Sequence, residues 1–377
     1  MKNMMGIYVH IPFCVRKCSY CDFLSFPAGE MERERYTEYL VREIKRENQI
    51  ISEETEVDTV FIGGGTPSIL SAFQMERILE ALAHRFRIMP EAEITIECNP
   101  GTVSPEKLST YKKMGVNRIS FGVQSAIAQE LRKLGRIHSF EEAVHSFRAA
   151  RSAGFENINI DLMSGIPGQT IGSYRNTLKN ILELEPEHIS SYSLIVEEGT
   201  PFYDVYAENP PVDEDVDREM YSYTKEVLAA RGYARYEISN YARNGFSCRH
   251  NLKYWSGDDY IGFGLGASSK ISNIRYKNET DIKTYMACIQ AGRPVAGIEE
   301  VLDREDEMSE FFILGLRKTK GISLSEFEQR FSVSAFHVYG IPLKKMIKEE
   351  LLICSEGWVR LSDRGIDVSN YVLREFI

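Results

Sequence analysis

Six short apolar runs rich in β-branched residues recur along the first half of the chain: GIYVHI, VDTVFI, EITIEC, RISFGV, NINIDL and HISSYSLIV, beginning near residues 6, 57, 93, 118, 157 and 188. Between them lie segments with apolar residues at helical spacing, such as Tyr36 to Ile50 and Phe140 to Ala153. Strand alternating with helix predicts parallel βα units, because a parallel return needs a crossover long enough to hold a helix. Six such units predict an α/β fold, a partial (β/α)6 barrel over residues 1–210, closed off by Pro210-Pro211.

Past that break the pattern changes twice. A polar and apolar alternation at helical period runs from about Asp213 to Arg231, followed by ARYEISNYARN, CRHNLKYWSG and YIGFGLGASSKI. These are expected to add an α+β segment, residues 211–300, to the edge and side of the barrel. From about Asp303 the pattern turns to short helices and then LLICSEGWVRLSDRGIDVSNYVL, a hairpin followed by a helix. Residues 301–377 therefore resemble a winged-helix tail, a form that DNA readers often use. Its charge argues against that use: 11 Lys and Arg stand against 13 Asp and Glu.

Charge over the whole chain points the same way, at a formal -10, which lowers the expectation of a nucleic-acid partner. No apolar run approaches a bilayer-spanning length, and the N-terminal run is short and ends at Pro12, without the long core of a secretory signal. Seven cysteines, three clustered and four scattered, make no even disulfide framework and fit a reducing cytoplasm.

In βα barrels the chemistry gathers where strands end. The first run here leads into Cys14, Cys18 and Cys21; the second ends in Gly63-Gly64-Gly65-Thr66-Pro67; the third in Glu97-Cys98-Asn99-Pro100. The fourth ends in Gln124-Ser125, the fifth begins its exit at Asp161, and the sixth runs out through Ile195 to Glu197. Three thiolates leave two readings open. A structural zinc would want a fourth ligand, for which His10 is the local candidate. A 4Fe-4S cube held at three corners would keep one iron open to a small molecule, since fully structural clusters take four cysteines. The glycines of GGGTP let backbone groups approach a ligand closely. A second glycine run, Gly262 to Gly266, is a weak dinucleotide signal without a βαβ setting.

The C-x3-C-x2-C spacing, with Tyr20 before the last cysteine, resembles the radical S-adenosylmethionine superfamily. That resemblance implies a 4Fe-4S cluster on Cys14, Cys18 and Cys21, with S-adenosylmethionine chelated at the open iron, where in that superfamily one electron can cleave it to a 5′-deoxyadenosyl radical. It also implies that Gly64, Gly65 and Thr66 meet the methionyl amine, and that Tyr8, Tyr20, Glu97, Gln124, Arg136, Asp161 and Ile195 lie at cofactor contacts. Arg136 is expected to pair a carboxylate, Gln124 and Asp161 the ribose hydroxyls, and Ile195 the adenine.

YVHIPFC, GGGTP, FGVQS, Gly135-Arg136-x-His138 and DLMSGIPGQT together resemble the oxygen-independent coproporphyrinogen III oxidase group over nearly the whole chain. Two departures from the decarboxylating enzymes stand out. Phe23 occupies the place of a further cysteine, and the cysteine loop begins only 13 residues into the chain. Cys21-Asp22-Phe23 and His250-Asn251-Leu252-Lys253-Tyr254-Trp255, an HNxxYW motif, resemble the heme chaperone branch. What this implies is a cytoplasmic protein that binds one heme, with His250 as a candidate axial ligand. It would pass that heme to an acceptor protein, by analogy a membrane-associated respiratory enzyme, and take electrons from a low-potential donor. Radical decarboxylation of coproporphyrinogen III and radical methyl transfer are the alternatives. If HNxxYW is helical, His250 and Tyr254 share one face, and Asn251 and Trp255 another.

Overall fold

The computed structural model of the chain describes residues 4–47, 51–52 and 55–377. Six strands, β1 (Met5–Ile11), β2 (Glu56–Gly64), β3 (Arg87–Cys98), β4 (Arg118–Gln124), β5 (Ile158–Ser164) and β6 (His188–Ser193), pair in parallel and in chain order. The expected partial barrel is therefore present. Helices α1 (Glu30–Arg46), α2 (Ala72–Arg85), α3 (Pro105–Lys113), α4 (Ala128–Leu134), α5 (Phe140–Ser152) and α6 (Ile171–Leu182) fill the crossovers. α1 starts six residues before the expected Tyr36, and the last three positions of the expected span, 48–50, lie outside the described residues.

Local chemistry sets these helices. Ser71 and Gln74, Ser139 and Glu142, and Thr170 and Ser173 form capping boxes that satisfy backbone amides at the starts of α2, α5 and α6. Period-two alternation then sorts each strand. Ile119, Phe121 and Val123 of β4 and Ile158, Ile160 and Leu162 of β5 are fully or almost fully buried in the main core between sheet and helices. The alternate positions carry Arg118 and Ser120 on β4, and Asn159 and Asp161 on β5, and face a cavity. This barrel has a polar interior, unlike the branched apolar layers that fill closed (β/α)8 barrels.

The added segment flanks both sheet edges. β7 (Asn240–Ala242) pairs antiparallel with β6 after α7 (Glu214–Ala230), and β8 (Tyr260–Phe263) pairs parallel with β1 and begins a meander through Val301. α8 (Arg249–Ser256) carries HNxxYW. The Gly262–Gly266 run is structural: the Gly264 amide donates to the Glu43 carboxylate at 2.9 Å, and Tyr285 and Asn278 donate to the same group. Residues 308–376 close a second apolar core around Phe312, Phe327 and Phe376, beside a three-stranded antiparallel sheet, as the winged tail requires.

Candidate cofactor and ligand site

The polar interior opens into a cavity of about 620 Å³ lined by Cys14, Cys18 and Cys21 together with Tyr20, Gly64, Gly65, Thr66, Glu97, Gln124, Arg136, Asp161 and Ile195. Of the residues expected at cluster, nucleotide or heme contacts, only Tyr8 and His250 do not line it. Tyr8 sits on β1 with its ring stacked on Phe61, itself a cavity residue, and shares a 2.9 Å hydrogen bond with His10 Nδ1. His10 Nε2 lies 2.9 Å from the Leu24 carbonyl oxygen, so both its ring nitrogens are engaged. It is therefore not poised as the fourth ligand a zinc reading needs.

All three clustered cysteines are free, and among the described residues no group of three or more His, Cys, Asp or Glu side chains is placed to hold a metal ion. A chain of hydrogen bonds joins two of the thiols across the loop. The Thr66 hydroxyl donates to Cys14 Sγ at 3.5 Å and accepts from Asn99 Nδ2 at 2.8 Å; Asn99 Oδ1 accepts from Arg136 Nη2 at 2.8 Å; Arg136 Nη1 reaches Cys18 Sγ at 3.8 Å. A hydroxyl and a guanidinium thus stand beside two of the three sulfurs. Backbone approach is equally tight. A Cβ on Gly65 would stand 2.7 Å from the Phe13 carbonyl oxygen and 2.9 Å from Cys14 Sγ, and Gly64 has φ +117°. Three free thiols in one loop, with His10 committed to Tyr8 and Leu24, fit a cluster held at three corners.

Arg136 differs from expectation in one respect. Nη2 also donates to the Gly122 carbonyl, so both terminal nitrogens are already engaged, and a bidentate carboxylate would have to displace Asn99 or Cys18. A bulge between Gly122 and Gln124 gives Gln124 a φ of +70°, rare for a residue with a side chain. Its Oε1 accepts from the Tyr192 hydroxyl at 3.3 Å. Ile195 is exposed at the rim.

Electrostatics favour a cationic guest near β3. Burial first, and the neighbouring Asp161 second, push the Glu97 carboxyl up to about 8, although the Gly64 amide donates to it at 3.2 Å. Burial also raises Asp161. An ammonium brought beside the two carboxyls would favour their ionised forms and offset part of the cost of burying them.

His250 is only 1% exposed. Its Nδ1 shares a proton with Thr59 Oγ1 at 2.9 Å and its Nε2 with the Tyr254 hydroxyl at 2.9 Å, which bears out the shared helical face. The ring stacks on Phe61, and burial, with Lys253 and Arg118 nearby, drives its pKa down to about 3. α8 is held by its N-terminus: the Glu93 carboxylate accepts from the Arg249 and His250 amides at 3.1 Å each, replacing a cap that Cys248 does not supply. Asp58 pairs with Lys253 at 2.8 Å. Of this motif Asn251 alone reaches the cavity.

Sequence reading missed much of the rest of the lining, notably Arg118, Asn159, Tyr192 and Asn240. The signal was present for the strand residues, as polar side chains at alternate positions of otherwise apolar runs.

An open six-stranded parallel sheet with three cysteines in the loop after β1 defines a class, and the comparison agrees: residues 8–181 match the Radical SAM superfamily and residues 302–368 the HemN C-terminal domain. A solved structure of coproporphyrinogen III oxidase (HemN) from Escherichia coli, described as a radical SAM enzyme, superposes with a TM-score of 0.86, covering 99% of this chain and 90% of that one at 24% identity. Curated relatives narrow the class. Heme chaperone HemW of Bacillus subtilis is 37% identical over 99% of both chains, that of Lactococcus lactis 36% identical over 98% of this chain and 96% of its own, and that of Escherichia coli 41% identical over 71% and 70%. This chain belongs to the HemW family of heme chaperones. Among the described residues no helix is long and apolar enough to cross a membrane.

Proposed function

We propose that the protein is a cytoplasmic heme chaperone that binds one heme and hands it to an acceptor protein. The observation that carries this reading is the kinship with curated heme chaperones over nearly the full length of both chains. Phe23 supports it, standing where the decarboxylating enzymes have a further cysteine. With Ile195 it gives the cavity an apolar edge, the two being 61% and 67% exposed, suited to a porphyrin face.

Cys14, Cys18 and Cys21 would hold three irons of a 4Fe-4S cluster, and Gly64, Gly65 and Thr66, with Glu97, the amino end of S-adenosylmethionine. Bound together, cluster and nucleotide supply one-electron reduction of a sulfonium. The residues of the chain position and shield: Thr66 and Arg136 polarise two of the thiols, Gln124 and Asp161 offer acceptors to the ribose hydroxyls, and Tyr20 and Met163 wall off water. For His250 to serve as an axial ligand, α8 would have to release Thr59 or Tyr254. A low-potential electron donor and a membrane-associated respiratory acceptor complete the reading by family analogy. The reading divides the chain at 1–210, 211–300 and 301–377; the separate apolar core of residues 308–376 supports the last unit, while the first two share one core.

Anaerobic reconstitution tests this. Wild type is expected to take up one heme per chain, while a Cys14, Cys18 and Cys21 triple Ala variant loses cluster iron. A flat Soret titration of the wild type, or conversion of coproporphyrinogen III to protoporphyrinogen at enzymatic rates, would overturn it in favour of an empty scaffold or of the decarboxylase.

A further inference from the structure

Arg118 is the largest fully buried side chain of the barrel and lines the cavity, and its guanidinium makes no hydrogen bond or ion pair to any described residue; its Nε is buried without a partner. Carboxylates do surround it, but they are committed elsewhere. Glu93 takes the two α8 amides and the Cys248 thiol, Asp161 accepts from Asn159 Nδ2 at 2.7 Å and from the Ser120 hydroxyl, and Glu97 accepts from the Gly64 amide. A guanidinium enclosed with none of its five donors used is costly unless something in the cavity completes it. Asn240 adds a second unspent atom to the same cavity. Its Nδ2 donates to Glu237 at 2.6 Å while its Oδ1 is buried and unpaired.

Along β4 this group stands apart from the cysteine-loop end of the same cavity, with Glu97 and Asp161 between the two. Arg118 opens β4 and Gln124 closes it, six residues later, which is roughly 20 Å along a strand. Cys18 and Arg136 lie at the Gln124 end. We infer that the barrel floor is a second compartment in which Arg118 receives the carboxylate of a ligand distinct from the nucleotide at the cysteine loop. The carboxylate has two chemical sources, a propionate arm of a porphyrin or a free small organic acid. This deepens the chaperone reading, and rests on it only for the porphyrin source.

The test uses the full chain, reconstituted anaerobically, titrated with hemin, with hemin dimethyl ester whose propionates are masked, and with succinate. Arg118→Gln is expected to weaken hemin, succinate or both by roughly ten- to a hundredfold, the loss of a charged hydrogen-bonding group. The ester should be indifferent to the substitution, and Arg118→Lys should recover part of the affinity. Loss confined to hemin assigns the propionate, and loss confined to succinate assigns the free acid. Should Arg118→Gln fail to hold cluster iron, Arg118→Lys carries the test, as a point charge that cannot grip a carboxylate in two places. The inference is overturned if a folded variant binds hemin and succinate as tightly as wild type, or if neither probe binds wild type. Hemin binding that ignores Arg118 would leave the chaperone reading intact, whereas Arg118-dependent succinate binding without any heme uptake would remove that reading and keep this one.

Discussion

His250 shows how a residue with an obvious chemistry can serve another purpose. Its two nitrogens hold the Thr59 and Tyr254 hydroxyls, and nothing in that arrangement leaves a lone pair for a ligand. Burial drives the ring down to about 3 from an ordinary 6.5, so the folded protein keeps it neutral where an unfolded chain would protonate it. The sign follows: below pH 6.5 the unfolded state binds the extra proton, and stability falls as pH drops from 6.5 toward 3. The full span is worth about 5 kcal/mol as an upper bound. Urea midpoints of the cluster-free protein should decline steeply between about pH 6.5 and 4.5, and His250→Gln should flatten that decline. An equal slope in both proteins would show that this ring is not the titrating group.

At the scale of elements, α8 is an eight-residue helix whose start is capped by a carboxylate from β3. Glu93→Ala would strand two buried amides and remove the charge that faces the helix dipole, at a cost of roughly 2–4 kcal/mol. Glu93→Gln, which keeps an acceptor, should recover about half. Equilibrium unfolding measures both, and an unchanged Glu93→Ala midpoint would mean that the cap is not what holds α8.

The same helix marks the limit of what the chain discloses before it is folded. The six strands were legible because their outward faces, such as Ile119, Phe121 and Val123, repeat at period two between capped helices. The cysteine loop and GGGTP were legible because their members are neighbours in sequence. Arg118 was not, since a lone arginine opening a strand reads as a solvated edge until the barrel encloses it. The burial of His250 was equally hidden, because Thr59 and Glu93 lie 191 and 157 residues away and only the closed sheet brings them together.

Over the whole molecule, HNxxYW joins the barrel to the winged tail. Trp255, one helical turn beyond the cavity-lining Asn251, carries the Arg317 guanidinium 4.4 Å from its ring centroid. Around it the tail is pinned by the Thr319 amide on the Tyr236 carbonyl at 3.0 Å, by Lys318 on Ser256 at 3.1 Å, and by Asp363 against Lys225 and Arg235. Exposed ion pairs of the last kind contribute little, and Tyr221 of α7 adds only a partly buried contact to the tail core. A guanidinium stacked on indole, with the packing around it, contributes more. Trp255→Ala should therefore cost roughly 2–4 kcal/mol and loosen the two cores from each other. Calorimetry of the wild type is expected to give one cooperative transition, and the variant a split one in which the 308–376 core melts first. If the variant instead melts as a single unit at the wild-type temperature, the coupling between barrel floor and tail runs through the backbone bridge of Glu237 and Lys318 rather than through this ring.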